Sequence, residues 1–184
     1  MDKKTEITET LLKLGFEKGF DNVSLQEIAD YVGIKKASVF SHFKNYEEIK
    51  QKAVEHAFSI LENKTFNLNT KTATLEDLLV SVVNGFIDIF SDFPANALLS
   101  FIHQKELYSN EFSKLSEQIN MMISSRLTVA LDFAVQRSWI DIPDTDAISK
   151  LFTPLIKSVL ETEYDDEEIS DLIHNITLLL QGRK

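Results

Sequence analysis

Residues 24–49, SLQEIADYVGIKKASVFSHFKNYEEI, leave the local chain little choice of conformation. Ser24 and Glu27 form an S-x-x-E capping box, in which each side chain satisfies a backbone N–H left over at a helix start. Ile28 and Val32 repeat at i, i+4 on one helical face, and Ala29 is small enough to let a second helix approach. Gly33 stands where that helix must end in the left-handed conformation that costs glycine least. A second short helix is expected over residues 36–43, burying Val39 and Phe43. Asn45 and Glu48 repeat the capping logic for the next one. Two short helices about a tight turn, followed at once by a third, make a helix-turn-helix, and that motif points to DNA.

Composition sets bounds on this reading. With 184 residues and 43% hydrophobic content, the chain can bury a sizeable core. Thirteen Phe against five Gly and three Pro fit a helix-rich interior. The absence of cysteine removes any disulfide framework or thiolate metal site and suits a reducing compartment. Charges run through the first twenty residues, and no stretch approaches the roughly 20 apolar residues that span a bilayer. The expected location is cytoplasmic, with no membrane partner.

A net charge of −10 opposes duplex binding, because affinity rests on neutralised phosphates. Its distribution matters more. Residues 1–50 carry eight Lys against nine acids, whereas residues 51–184 are nine charges negative. Residues 34–46 hold Lys35, Lys36 and Lys44 and no acid. Since charges beyond a Debye length of about 8 Å are largely screened, this local excess can dock on phosphates.

Helical periodicity covers nearly the whole chain, with no strand alternation. Helices are expected over residues 4–18, 24–32, 36–43, 46–63, 74–93, 94–108, 110–139, 145–162 and 166–181. The polar, Asn-rich run 63–73 is the one internal linker. Pro154 should kink the eighth helix or break one of its hydrogen bonds. The fold class is therefore all-α. It is divided into a three-helix helix-turn-helix DNA-binding domain at 1–46 and a helical body at 47–184.

The string GFDNVSLQEIADYVGIKKASVFSHFKNYEEI, with the nine helices, resembles the TetR/AcrR family of bacterial transcriptional regulators. The match covers about residues 5–50; beyond residue 63 only helix number and order agree. The resemblance implies a homodimer whose divergent body, 47–184, is an effector-binding and dimerisation domain. Three positions depart from the family pattern. Gly15 replaces a usual aromatic core residue, and neighbouring Phe16 is expected to compensate. Phe40 replaces a Tyr whose hydroxyl reaches a phosphate, and Tyr46 replaces a Lys. Fewer phosphate contacts and a shallower salt dependence follow.

By position in the motif, Gln26, Lys36 and Ser38 are assigned to base edges, where Gln pairs with adenine and Lys with guanine. Ala37 offers its methyl to a thymine methyl. Ser24, Lys35, His42, Lys44 and Tyr46 are assigned to phosphates, and Phe40 completes the DNA-facing set. The bland alternative is a set of ordinary solvated side chains on short helices.

Two regular apolar stripes close the chain. Leu151, Phe152 and Leu155 lie on the eighth helix; Ile169, Leu172, Ile173, Ile176 and Leu180 lie on the ninth. Two adjacent wide stripes suggest a four-helix dimer interface, which would supply two recognition helices for two half-sites. The acid cluster at 161–171 reads as helix-start acids on a solvated face, ahead of a metal site. An effector pocket for a small apolar or amphipathic molecule is assigned to Phe86, Phe90, Phe101, His103, Met122, Arg126 and Phe133. Aromatic and Met stripes are more often core than ligand site; Arg126, on an apolar face, is the residue that disturbs that reading.

No cofactor or metal is implied. His42, His56, His103 and His174 are scattered, and no Walker loop, H-E-x-x-H or G-x-G-x-x-G occurs. The leading expectation is a homodimeric repressor released from its double-stranded DNA operator by a small molecule. A constitutive DNA-binding or partner-docking dimer is the alternative, with an all-helical enzyme behind it.

Overall fold

A computed structural model describes residues 2–105, 110–162 and 164–182, with the side chains of 105 and 110–113 left aside. The described residues form nine α-helices and one 3-10 turn, with no strand. The helices are α1 (Lys3–Lys18), α2 (Leu25–Val32), α3 (Lys36–Val39), α4 (Tyr46–Glu62), α5 (Leu75–Ser91), α6 (Ala95–Lys105), α7 (Asn110–Gln136), α8 (Thr145–Glu161) and α9 (Asp166–Leu180). No single helix among the described residues is long and apolar enough to cross a membrane. The expected helix end at Tyr108, the Phe112 side chain and Glu163 lie outside the described residues.

The chain divides into two compact units. The first comprises Met1–Lys64 with Phe90–Ser109, so the 1–46 head is joined there by α4 and α6. In it α1 packs on α2, α4 and α6. The core contains Ile7, Leu11, Leu12, Phe20, Ile28, Ile49, Leu61, Leu98 and Phe101, each at most 1% exposed. The expected replacement of an aromatic at position 15 takes a different route. Phe16 is 49% exposed. Phe20, from the 3-10 turn Phe20–Asn22, covers Gly15 instead: a Cβ on Gly15 would stand 2.1 Å from the Phe20 ring. The ring then meets Phe101 edge-on, with centroids 4.3 Å apart.

The second unit comprises Thr65–Ile89 with Asn110–Lys184. Its main seam is α7 against α8. Leu79, Val82, Leu127, Leu131, Ile156, Ile173 and Ile176 surround a residual void of about 20 Å³. On α8 the inward residues are Ser149, Thr153, Ile156 and Val159, while Leu151 and Leu155 face out. The hydroxyls make this arrangement possible. Ser149 donates to the Thr145 carbonyl at 2.7 Å and Thr153 to that of Ser149 at 2.8 Å, so their burial leaves no polar group unsatisfied.

α8 continues through Pro154, and that residue is exposed, where the loss of one ladder bond is eased by water. One further expectation is corrected. α5 stops at Ser91, so Phe93 does not extend its aromatic face. The residue before a proline disfavours the helical conformation, and Phe93 precedes Pro94.

Candidate nucleic-acid interface

The capping box at Ser24 is complete. Ser24 Oγ accepts from the Glu27 N–H at 3.2 Å, and Glu27 Oε2 accepts from the Ser24 N–H at 2.9 Å. Lys18 also donates to the Glu27 carboxylate. That bond, followed by the two from Ser24, lowers the Glu27 pKa to about 2. At the other end of α2, Gly33 is left-handed at φ 73° and ψ 34°, and the Ile34 N–H reaches the Ala29 carbonyl at 2.9 Å. The turn is thereby set in angle before α3 begins.

α3 is shorter than expected, four residues instead of eight. Beyond Val39 the chain tightens: His42 N–H bonds to Val39 O at 3.0 Å, three residues back, and Ser41 Oγ takes the Ser38 carbonyl at 2.6 Å. Serine hydroxyls compete with the helix ladder in this way. Val39 and Phe43 anchor the segment, 0% and 4% exposed. Around those anchors Lys35, Lys36, Ala37, Phe40 and Lys44 are exposed, and Ser38 and His42 are half-buried. Three cations and a bare aromatic ring therefore stand on one short segment that contains no acid.

Three assigned residues already have intramolecular partners. Ser24 Oγ serves the cap. Gln26 Nε2 donates to Asp30 Oδ1 at 2.7 Å, along its own helix. The Tyr46 hydroxyl donates to Val23 O at 2.7 Å and so ties the start of α4 to the entry of α2. Burial, then the nearby Glu47, Asp21 and Glu27 charges, push the Tyr46 pKa up to about 12. Asn45 Oδ1 accepts from the Glu48 N–H at 2.8 Å, which caps α4 as expected.

The residues assigned to an effector fall in both units. Phe90 and Phe101 are buried and His103 is exposed in the first unit, where Phe101 packs on Phe20. Phe86, Met122, Arg126 and Phe133 belong to the second. There Phe133 meets Trp139 edge-on at 5.9 Å, with the Arg137 guanidinium 5.2 Å from its ring. Phe86 packs on Phe66 at 4.9 Å, and the Arg126 guanidinium lies 5.5 Å over the Phe66 ring. Phe66 lies in the polar linker and was not among the expected residues. The signal that could have found it is Gly85 in mid-helix, a costly choice unless something approaches closely.

Of the eight residues assigned to a dimer interface, Ile173 and Ile176 are buried within the second unit's own core. Leu151 is 71% exposed and Leu155 39%, while Phe152, Ile169, Leu172 and Leu180 are half-buried; neighbouring Leu179 is 73% exposed. The acid cluster caps α9, with Asp165 and Glu168 forming a second capping box. Among the described residues no group of His, Asp or Glu is arranged to hold a metal ion.

An all-helical chain whose amino-terminal unit carries a capped, glycine-turned helix pair is a helix-turn-helix protein. Residues 7–51 match the bacterial regulatory proteins of the tetR family. A 56-residue stretch is 43% identical to IcaR, the biofilm operon icaADBC HTH-type negative transcriptional regulator of Staphylococcus epidermidis, and covers 30% of each chain. YerO, an uncharacterized HTH-type transcriptional regulator of Bacillus subtilis, is 24% identical over 192 residues, or 98% of this chain and 65% of that one. The chain thus spans less than the full length of both relatives. AibR, crystallised with isovaleryl coenzyme A and operator DNA, has the same fold with a TM-score of 0.65 and 18% identity over 98% of both chains. A Rhodococcus transcriptional regulator superposes with a TM-score of 0.71 at 12% identity, covering 98% of this chain and 97% of that one. Residues 7–51 thus carry the amino-terminal segment of the tetR family, and the whole chain shares its fold with solved transcriptional regulators.

Proposed function

We propose that the chain is a sequence-specific, DNA-binding transcriptional regulator that works as a homodimeric repressor released by a small-molecule effector. One observation carries the reading: Lys35, Lys36, Ala37, Phe40 and Lys44 stand exposed on a segment clamped from below by Val39 and Phe43. A buried backing with cations and apolar tips exposed outward suits a groove lined by phosphates and base edges. The head at 1–46 reads the duplex, and the remainder at 47–184 pairs and responds. Lys36 and Ser38 reach base edges, and Lys35, His42 and Lys44 meet phosphates. With Tyr46 engaged at Val23 and Phe40 lacking a hydroxyl, the phosphate footprint is small and salt weakens binding less steeply than in a fully cationic head.

Pairing rests on Leu151 and Leu155 of α8 and Leu179 of α9, apolar side chains left in water by a single chain. Repression is supported by the negative regulator to which the head is similar, and effector control by AibR, crystallised with both a ligand and operator DNA. The test is selection of bound fragments from genomic DNA, then gel shifts with wild type and Lys36→Ala. A second reading, a constitutive dimer with no effector, is favoured by the void of only about 20 Å³ among Leu79, Leu131 and Ile173. Ligand pockets commonly measure about 300–1,000 Å³.

A further inference from the structure

Phe66 is the one aromatic residue in the connecting run 63–73, and its ring lies against α5 and α7 of the second unit. Phe86 of α5 packs on one side at 4.9 Å, the ring planes tilted by 31°. Arg126 of α7 lies across it, its guanidinium carbon 5.5 Å from the ring centre. Gly85 forms the floor: a Cβ there would stand 2.9 Å from the Phe66 ring edge. Residues 65–69 lie in no helix or strand, and Phe86, Gly85 and Arg126 seat the ring.

We propose that Phe66 is a displaceable plug, and that the slot beneath it takes a small aryl carboxylate. This rests on the effector-controlled reading above and names the chemistry of the effector. The ligand's ring replaces that of Phe66 on Gly85 and Phe86. Its carboxylate gains what a benzyl side chain cannot offer, a bidentate ion pair with a guanidinium. Arg126 is half-buried, and burial lowers its pKa, so an added anion also stabilises its charge. The exchange explains how a tightly packed unit can still bind a ligand. Phe66 follows Glu62, the last residue of α4, by four positions. Its release therefore frees the segment that continues directly from the helix capped by Asn45.

The test uses the full chain and two probes of one shape, phenylacetate and neutral phenylacetamide, titrated by calorimetry into wild type, Phe66→Ala and Phe66→Ala/Arg126→Gln. An occupied slot reduces apparent affinity by the fraction of molecules in which it is open. Phenylacetate should therefore bind Phe66→Ala about tenfold or more tightly than wild type, and more tightly than phenylacetamide does. The double variant should lose that preference for the anion. Equal affinity in wild type and Phe66→Ala overturns the proposal, as does equal binding of the two probes to Phe66→Ala. Should Phe66→Ala fail to fold, Phe66→Val carries the same expectation, because it keeps an apolar side chain while vacating most of the space of the ring. These titrations contain no DNA. Their failure leaves the regulator standing without this effector, whereas failure of the genomic selection removes the regulator and leaves the slot.

Discussion

The ring of Phe20 occupies the space that any side chain on Gly15 would need, its nearest carbon 2.1 Å from where a Cβ would stand. Two residues thus share one aromatic position of the head. Gly15→Ala should destabilise the protein by about 1–3 kcal/mol through overpacking, even though Ala is the better helix former. Chemical denaturation measures this. Wild-type stability in the variant would mean that Phe20 is free to move aside.

Glu27 ties the end of α1 to the start of α2, and its folded pKa of about 2 lies below the ordinary 4.5. The stabilisation from its charge is present above pH 4.5 and is lost as pH falls toward 2. Glu27→Gln keeps a capping side chain but does not titrate. Wild type should melt above Glu27→Gln at pH 6 in low salt, and the gap should close near pH 2. Because the carboxylate is exposed, added salt should also narrow it. A gap independent of pH would assign the difference to geometry.

Tyr46 gives the opposite window. Its pKa rises to about 12 from 10, so the neutral hydroxyl contributes stability below pH 10 that is lost as pH climbs through 12. Tyr46→Phe should cost about 0.5–1.5 kcal/mol at neutral pH by removing the bond to Val23. Its melting should also fall less between pH 10 and 12. An ultraviolet titration of Tyr46 with a midpoint near 10 would contradict the buried bond.

The caps were the legible part of this molecule. Ser24 with Glu27, Asn45 with Glu48, and Gly33 in its left-handed turn use neighbours in sequence, so spacing alone is enough to read them. Phe66 was not legible, because a lone aromatic in a polar run gains its partners from Gly85 and Arg126, far along the chain. Nor was the face that α8 turns to the chain's own core. Leu151 and Leu155 were assigned to a dimer interface, but the burial of Ser149 and Thr153, which satisfy their own hydroxyls on the preceding turn, has no signal in the apolar stripe. The remaining leucines are left for another surface.

That surface yields a sharp contrast between variants. Leu151→Glu with Leu179→Glu changes two side chains that are 71% and 73% exposed, so the fold should persist while the pair separates. Ile173→Asp buries a charge at a site 2% exposed and should unfold the chain instead. Sedimentation and circular dichroism together decide. A folded Leu151→Glu/Leu179→Glu variant that remains dimeric would remove these leucines from the interface.

The most direct measurement is a gel-shift titration of wild type and Lys36→Ala on fragments selected from genomic DNA, each set against a scrambled duplex. Wild type should prefer the selected fragment, and Lys36→Ala should lose about 1–3 kcal/mol on it with little change on the scrambled one. Equal affinity of wild type for both duplexes, or a Lys36→Ala variant as selective as wild type, would contradict sequence reading by the segment between Gly33 and Phe43.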